Sequence, residues 1–371
     1  MREGRFVVIG GAGFVGANLA ESWLSEGERV LVVDTLARPG VERNLAWLRE
    51  RHGDRLAFAP VDVRDSDALA PLVEGARAVV HLAAQVAVTT SLSDPIADFE
   101  VNARGTLVLL EAVRAADPRI PVLFASTNKV YGDLADIALE ETGNGARPKA
   151  RAVREYGIGE DRPLDFHTPY GCSKGVADQY VLDYARSYGL RTAVMRMSCI
   201  YGPRQFGTED QGWVAHFLIS ALKGRPITLY GDGRQVRDVL HVADAVAAYR
   251  AALSRIDAIA GTAFNLGGGP ANAVSLRAVI AEIERLTGAR IDIDEAEPRP
   301  GDQRWFVADT RRIAQSLGWR AKIGWREGLA DLHEWLRGQD FVRAHDLPAA
   351  SLLPLAGAIG SSRETDGGIA G

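Results

Sequence analysis

Phe6-Val7-Val8-Ile9-Gly10-Gly11-Ala12-Gly13-Phe14-Val15-Gly16 decides the fold. Its first four residues are apolar and mostly β-branched, as in a parallel strand buried on both faces. They run straight into glycines at 10, 13 and 16, and these into the helical pattern Ala17, Leu19, Ala20, Trp23, Leu24. Glycines so spaced allow a tight turn, a close backbone approach to a pyrophosphate, and a helix packed hard against its strand. The helix N-terminus then offers unpaired N–H groups and a partial positive charge to the phosphates. Arg29 to Val33 follows as a second buried strand ending in Asp34. That carboxylate falls near the interval of about 20 residues at which a dinucleotide fold places its ribose-binding acid. Asp34 would accept hydrogen bonds from both ribose hydroxyls and repel a 2′-phosphate, which selects NAD over NADP. The lesser reading is a strand-end Asp in a solvated turn; the strand, glycine turn, helix and acid in this order favour the ribose.

Outward from this unit, strands at 55–59, 78–84, 121–125 and 191–197 alternate with helical stretches. The alternation predicts an α/β chain: a Rossmann doubly wound parallel sheet with a smaller, interleaved C-terminal substrate-binding lobe. Residues 1–197, with about 236–266, are expected to form the NAD-binding unit. Residues 198–235 and 267–340 are expected to form the lobe, with a helix over 213–223 and a strand at 226–230; a further strand is expected at 236–240. Residues 341–371 read as a C-terminal tail, apolar and small from Leu352 to Gly371. The Gly- and Pro-punctuated segment 133–166 reads as a long excursion. At a further strand end, Asp62-Val63-Arg64-Asp65 either meets the adenine or caps the next helix through Asp65 or Ser66. A long helix expected over about 94–115 contains Asn102, either a buried polar tie or a solvent-facing residue.

With 371 residues, 47% apolar and 25% charged, the chain can bury a sizeable core. A net charge of −5 and a pI near 5.9 give no electrostatic reason to expect nucleic acid or an anionic membrane as partner. No apolar run approaches the roughly 20 residues needed to span a bilayer, and Phe6–Ile9 is too short for a signal peptide. Cys172 and Cys199 form neither metal spacing nor a disulfide framework, which fits a reducing cytoplasm. A soluble intracellular enzyme or binding protein is expected, without a metal.

The chemistry sits in His167-Thr168-Pro169-Tyr170-Gly171-Cys172-Ser173-Lys174. Tyr170 and Lys174 are four apart, on one face of a helix that runs on through Ala177, Val181 and Tyr184. A Lys⁺ so placed would stabilise the phenolate and lower the Tyr pKa. Such a Tyr takes a proton from an alcohol as hydride leaves, and returns it in reverse. By itself the spacing also describes a surface helix pair. Ser126 and Thr127 lie at the C-terminal end of a parallel strand, where such sheets bind ligands. Either hydroxyl would reach a substrate alcohol beside Tyr170. Arg234, Arg237, Arg299 and Arg304 suit a bidentate grip on phosphate, though each alone is equally a surface charge.

Tyr170 and Lys174, with Gly10, Gly13, Gly16 and Asp34, make the chain resemble the extended short-chain dehydrogenase/reductase family of nucleotide-sugar enzymes. The resemblance covers about residues 5 to 340 and includes Tyr201-Gly202-Pro203-Arg204 and Arg237 to Asp244. Four further stretches are similar to the branch that epimerises CDP-linked sugars at C2: Ser126 to Asp133, Leu164 to Gly175, Asp210 to Val214, and Asn44-Leu45-Ala46-Trp47-Leu48. The resemblance implies catalysis by Thr127, Tyr170 and Lys174. It implies an NAD site made by Gly10, Gly13, Phe14, Val15, Gly16, Asp34, Asp62, Val63, Leu82, Ala83, Ala84, Asn102, Ser126, Tyr170, Lys174 and Met197. Gln85, Asn128, Cys199, Gln211, Arg237, Arg299 and Asp302 would hold the nucleotide sugar, the two arginines on its pyrophosphate and Asp302 near its ribose. Family members that dehydrate their sugar carry an Asp-Glu pair after the catalytic Thr; here those positions are Asn128 and Lys129. Elimination would lack its acid and base. Oxidation to a keto-sugar followed by reduction on the other face is therefore expected, at C2 of a CDP-linked sugar. A 4-epimerase and a non-catalytic NAD-binding regulator are the alternatives. Relatives that pair through the Tyr-Lys helix imply a homodimer.

Overall fold

The computed structural model describes residues 4–143 and 145–343. The chain opens with β1 (Phe6–Ile9), β2 (Val30–Val33), β3 (Leu56–Ala59), β4 (Ala78–His81) and β5 (Val122–Thr127). A hairpin of β6 (Leu139–Thr142) and β7 (Gly145–Pro148) precedes β8 (Thr192–Met197). Then come β9 (Cys199–Tyr201), β10 (Ile227–Tyr230), β11 (Val236–His241) and β12 (Thr262–Leu266). The short β13 (Ala273–Ser275), β14 (Ile293–Ala296) and β15 (Trp305–Phe306) complete the strands.

Seven strands form one sheet in the order β12-β8-β5-β4-β1-β2-β3, every neighbouring pair parallel. The order reverses between β1 and β4, which opens a crevice beyond their C-terminal ends. Alternation divides each strand between two layers: Val8, Val32, Val80, Leu123 and Met195 face one core, and Val7, Leu31, Val79, Phe124 and Val194 the other. Each such side chain contributes about 1.5–3 kcal/mol on burial, so helices must cover both faces.

On the first face lie α1 (Phe14–Leu24) and α2 (Val41–His52). The second carries α3 (Ser66–Val73), then α4 (Val88–Ser93), α5 (Pro95–Phe99) and α6 (Gly105–Ala116). A short α7 (Arg151–Tyr156) leads to the long α8 (Thr168–Tyr188). Pro169 in the first turn needs no N–H partner there, and Gly189, at φ +70, ends the helix in the left-handed region. The helix expected over about 94–115 is α5 and α6 joined by a π-turn, Glu100–Arg104, around Asn102. Such turns often mark functional positions. Gly105 follows because a Cβ there would lie 2.6 Å from the Val63 side chain.

Two expectations change. The excursion at 133–166 contains the β6–β7 hairpin and α7. The strand expected at 236–240, β11, does not belong with the NAD-binding sheet: it pairs with β13 and β15 through Val236 to Asp238, and with β9 through Val239 to His241. Every residue of β11 is buried, as in the large sheet, so burial pattern alone does not say which sheet it joins. The helix after it, Val242–Ser254, returns to pack on α1, and β12 then rejoins the large sheet beside β8. The stretch Leu352 to Gly371 lies outside the described residues.

A strap ties the two parts. Asn18 Nδ2 donates to Phe14 O at 2.9 Å and Pro203 O at 3.0 Å. Asn44 Nδ2 donates to Ala12 O at 3.1 Å and Arg204 O at 3.3 Å, and the Arg204 guanidinium lies 3.7 Å from the Trp47 ring centroid.

Candidate active site

The glycine turn forms a cradle at the crevice. Gly10 has φ +80, and a Cβ on it would meet Ala83 N at 2.6 Å and Leu82 C at 2.9 Å, so the turn lies against the end of β4. A Cβ on Gly16 would meet Gly10 O at 2.4 Å, which sets the close approach of α1. Gly13 has only Gly10 O near it, at 3.2 Å, and as N-cap it gives α1 no side-chain cap. Unsatisfied N–H groups and free space therefore coincide above Phe14 and Val15, as a pyrophosphate requires. Asp34 is fixed at the same turn: Oδ2 accepts from Ala12 N at 3.0 Å and Oδ1 from Leu36 N at 2.9 Å. A carboxylate has about four lone-pair sites, so acceptors remain for a ribose. These residues fit NAD.

Other expected cofactor residues take particular roles. Asp62 is ion-paired with Arg64 at 2.7 Å, while Asp65 caps α3 by accepting from Ala68 N at 3.1 Å. Asn102 is the buried tie: Oδ1 accepts from Gln85 N at 2.9 Å, and Nδ2 lies 3.0 Å from both Gln85 O and Ser173 Oγ. The Gln85 side chain folds back on Ala87. Ser126 turns its hydroxyl to Asp178 at 2.7 Å, leaving Thr127 as the hydroxyl that meets Tyr170. Ala84 continues the loop after β4, and Met197 Sδ accepts from Tyr249 Oη at 3.4 Å.

Thr127, Tyr170 and Lys174 converge where β5 meets α8, all buried. Thr127 Oγ1 accepts from Lys129 N at 3.2 Å and donates to Asn128 Oδ1 at 3.3 Å, and it lies near enough to Tyr170 to lower the phenol pKa. The expected lowering of the Tyr170 pKa is not what this geometry gives. Burial pushes the phenol up to about 12, opposed by the Thr127 bond and assisted by the negative charge of Asp98. Lys174 is not directed at the phenol: Nζ donates to Ala125 O at 2.6 Å and sits 4.1 Å from the Phe124 ring centroid. Burial pushes Lys174 down to about 7, while Asp178 and Asp98 pull it back up.

Facing this group is a charge cluster. Arg237, 6% exposed, reaches Asp302 Oδ1 at 2.7 Å, and Lys129 Nζ reaches the same oxygen at 3.2 Å and Gly301 O at 3.1 Å. Burial would raise Asp302, but Arg237 and Lys129 outweigh it and hold the carboxyl at about 2. Asn128 Nδ2 donates to Gln303 Oε1 at 3.0 Å, and Gln303 Nε2 donates to Gly132 O at 2.7 Å. Cys199, its thiol pushed up by burial, accepts from Trp213 Nε1 at 3.4 Å. Arg299 pairs with Asp210 at 3.3 Å and lies 3.9 Å from the Tyr230 ring centroid, beside the turn that Gln211 closes with Thr208. Arg234 and Arg304 are surface charges paired with Glu141. Sequence reasoning missed Lys129 and Gln303 as site residues; the place of Lys129, two after Thr127, was the available signal. Among the described residues no cluster of potential metal ligands occurs, and no helix is long and apolar enough to cross a membrane.

A cradle for NAD and a Thr-Tyr-Lys set at a topological switch point define a class. The NAD dependent epimerase/dehydratase family model matches residues 6–267, and the chain belongs to that family; it is an NAD-dependent epimerase. It is 41% identical over 339 residues to CDP-paratose 2-epimerase of Salmonella typhi, covering 89% of this chain and 98% of that protein. UDP-glucose 4-epimerase of Mycolicibacterium smegmatis is 33% identical over 336 residues, covering 90% and 99%. The crystal structure of the Thermus thermophilus UDP-glucose 4-epimerase complexed with NAD superposes with a TM-score of 0.74 at 34% identity, covering 90% of this chain and 99% of that one.

Proposed function

We propose that the chain inverts C2 of a CDP-linked deoxyhexose by internal oxidation and reduction, as the similarity to CDP-paratose 2-epimerase suggests. One observation carries the choice of epimerisation over dehydration. The two residues after Thr127 are an amide held by Gln303 and an ammonium held by Asp302, so no carboxylic acid stands ready to eliminate water.

Tyr170, once deprotonated, takes the proton of the sugar hydroxyl while Thr127 holds its oxygen. NAD, when bound, accepts the hydride from that carbon and gives it back. Deprotonating a phenol whose pKa is near 12 is uphill at neutral pH by about 1.4 kcal/mol per unit; the Thr127 hydroxyl lowers that cost. The keto-sugar then turns while Arg237 and Arg299 keep its diphosphate, exchanging their internal carboxylates Asp302 and Asp210 for phosphate oxygens. Tyr170 returns the proton to the sugar oxygen after hydride arrives on the opposite face. Holding the partners in contact supplies several of the roughly 7–11 kcal/mol available to orientation.

The test is NMR of CDP-, UDP-, GDP- and ADP-linked hexoses with purified protein in deuterium oxide, with Tyr170→Phe alongside. Inversion at C2 without deuterium uptake is expected, with Tyr170→Phe slower by about 10²–10⁴. Inversion at C4 would transfer the reading to the UDP-glucose type. Deuterium at the inverted carbon would refute internal hydride transfer.

We also infer a cytoplasmic homodimer. Leu92, Ile96 and Phe99 on α4 and α5, and Tyr180 and Tyr188 on the adjacent α8, are large exposed apolar side chains on three helices that pack on one another. Sedimentation of Phe99→Glu/Tyr188→Glu should give a monomer; an unchanged dimer would exclude this face.

A further inference from the structure

Beneath the catalytic helix lies a carboxylate that the chemistry above does not use. Asp98, next to last in α5, is fully buried. Its hydrogen-bond partners are neutral: Ser173 Oγ donates to Oδ2 at 2.5 Å, and Asn102 Nδ2 to Oδ1 at 3.1 Å. Lys174, the residue after Ser173, has the opposite deficit, since its ammonium meets a carbonyl and a phenyl ring but no carboxylate in contact. The other nearby acid, Asp178, also raises Lys174, and more than Asp98 does, but it is shared with Arg196, which binds it at 2.8 and 2.9 Å. A buried carboxylate on α5 and, one residue on from its Ser173 partner, a buried ammonium on α8 are thus each without a charged partner in contact.

We propose that Asp98 is a positioning residue, a counter-charge that keeps Lys174 protonated inside the closed site, acting through space rather than by contact. The inference rests on the assignment of Tyr170 and Lys174 as the proton-handling pair.

Among the surrounding groups Asp98 is the acid with no cation in contact, so it shares with Asp178 the task of holding the Lys174 charge. From β4 comes His81, pushed by burial and by Lys174 down to about 3 and so neutral. From α8 come Asp178, matched by Arg196 of β8, and Tyr170. β5 presents the hydroxyls of Ser126 and Thr127. In the turn at 128–131, Lys129 is held by Asp302 and Tyr131 by Arg196. On the π-turn Glu100 pairs with Arg104, and on α6 Glu111 pairs with Arg114. Burial raises Asp98, and the Ser173 bond and Lys174 lower it again. Its negative charge raises both Lys174 and Tyr170. Removing that charge must move both titrations to lower pH.

The test is Asp98→Asn, which keeps the size, an acceptor for Asn102 and a donor for Ser173. The lysines of the chain are Lys129, Lys149, Lys174, Lys223 and Lys322, few enough for NMR titration of ¹³C-labelled lysine in the full-length protein. Lys174 should titrate lower by about one unit or more in the variant, the others staying in place. The alkaline limb of the pH–rate profile should move down with it. Ser173→Ala removes a hydroxyl and no charge, and should leave the Lys174 titration where it was. An unmoved Lys174 in Asp98→Asn overturns the proposal, as does an equal shift in Ser173→Ala. If Asp98→Asn does not fold, the wild-type titration decides, because a Lys174 already neutral at about pH 6 would overturn it. The NMR readout needs no substrate, so it stands or falls apart from the assignment of the inverted carbon.

Discussion

Asp178→Asn would test how the catalytic helix is anchored. Asp178 is fully buried on α8; Oδ2 accepts from Ser126 of β5 at 2.7 Å and from Arg196 Nε of β8 at 2.9 Å, and Oδ1 from Arg196 Nη2 at 2.8 Å. Arg196 Nη1 donates onward to Tyr131 Oη at 3.1 Å, and Tyr131 to Asn265 of β12 at 2.8 Å. One carboxylate therefore joins the helix that carries Tyr170 to three strands. Asparagine keeps the shape but leaves the Arg196 guanidinium, its side chain 5% exposed, without a counter-ion. Breaking a buried pair from one side costs about 3–5 kcal/mol. In a chain of this length that lowers the melting temperature by roughly 5–10 °C. Urea midpoints and thermal melts of Asp178→Asn, Arg196→Met and Asp178→Leu/Arg196→Met would be compared. The double variant should regain most of the loss, since it strands no charge. A loss below about 1 kcal/mol in Asp178→Asn, or a double variant as unstable as the two singles summed, would refute the reasoning.

Two glycines of the cradle should separate stability from cofactor binding. Gly16→Ala forces a methyl against the Gly10 carbonyl at 2.4 Å and should cost about 1–3 kcal/mol; Gly13→Ala meets the same carbonyl only at 3.2 Å, and should melt closer to the wild type yet lose NAD on gel filtration. Retained NAD in Gly13→Ala would show that the phosphates sit elsewhere. The Asp302 clamp should depend on pH in a defined direction. Its carboxyl is held near 2, below its unfolded value, so its contribution is complete above about pH 4 and is lost as pH falls toward 2. With the side chain a third exposed, that contribution is about 1 kcal/mol after screening. Acid titration of wild type against Asp302→Asn should show the stability difference vanish toward pH 2, and a difference that persists there would remove the carboxylate as its cause.

Much of the architecture was legible because its signals are local. Phe6 to Gly16 states strand, turn and helix in consecutive residues, and Asp34 sits at a fixed interval behind it. Less could be had where a residue's surroundings come from distant chain. Asn102 was ambiguous because a π-turn, not an ideal helix, sets its direction. The Tyr170 pKa was misjudged because helical spacing places Lys174 beside the phenol, while the Ala125 carbonyl draws the ammonium away. Lys129 and Asp302 meet across the whole length between β5 and β15, which no spacing rule reaches. Asp98, by contrast, stands four before Asn102 in a helix, and that interval was there to be noticed.

The pairing of β12 with β8 also bears on how the protein is made. A chain leaving the ribosome N-terminus first completes β1 to β5 and β8 while β12 is still unsynthesised, and the whole of β9 to β11 must emerge in between. Through that interval β8 presents an open row of backbone donors and acceptors, the kind of edge on which strangers pair. A truncation that ends between about residues 197 and 262 would keep the cradle for NAD yet leave the sheet one strand short, with β8 as its edge in place of β12.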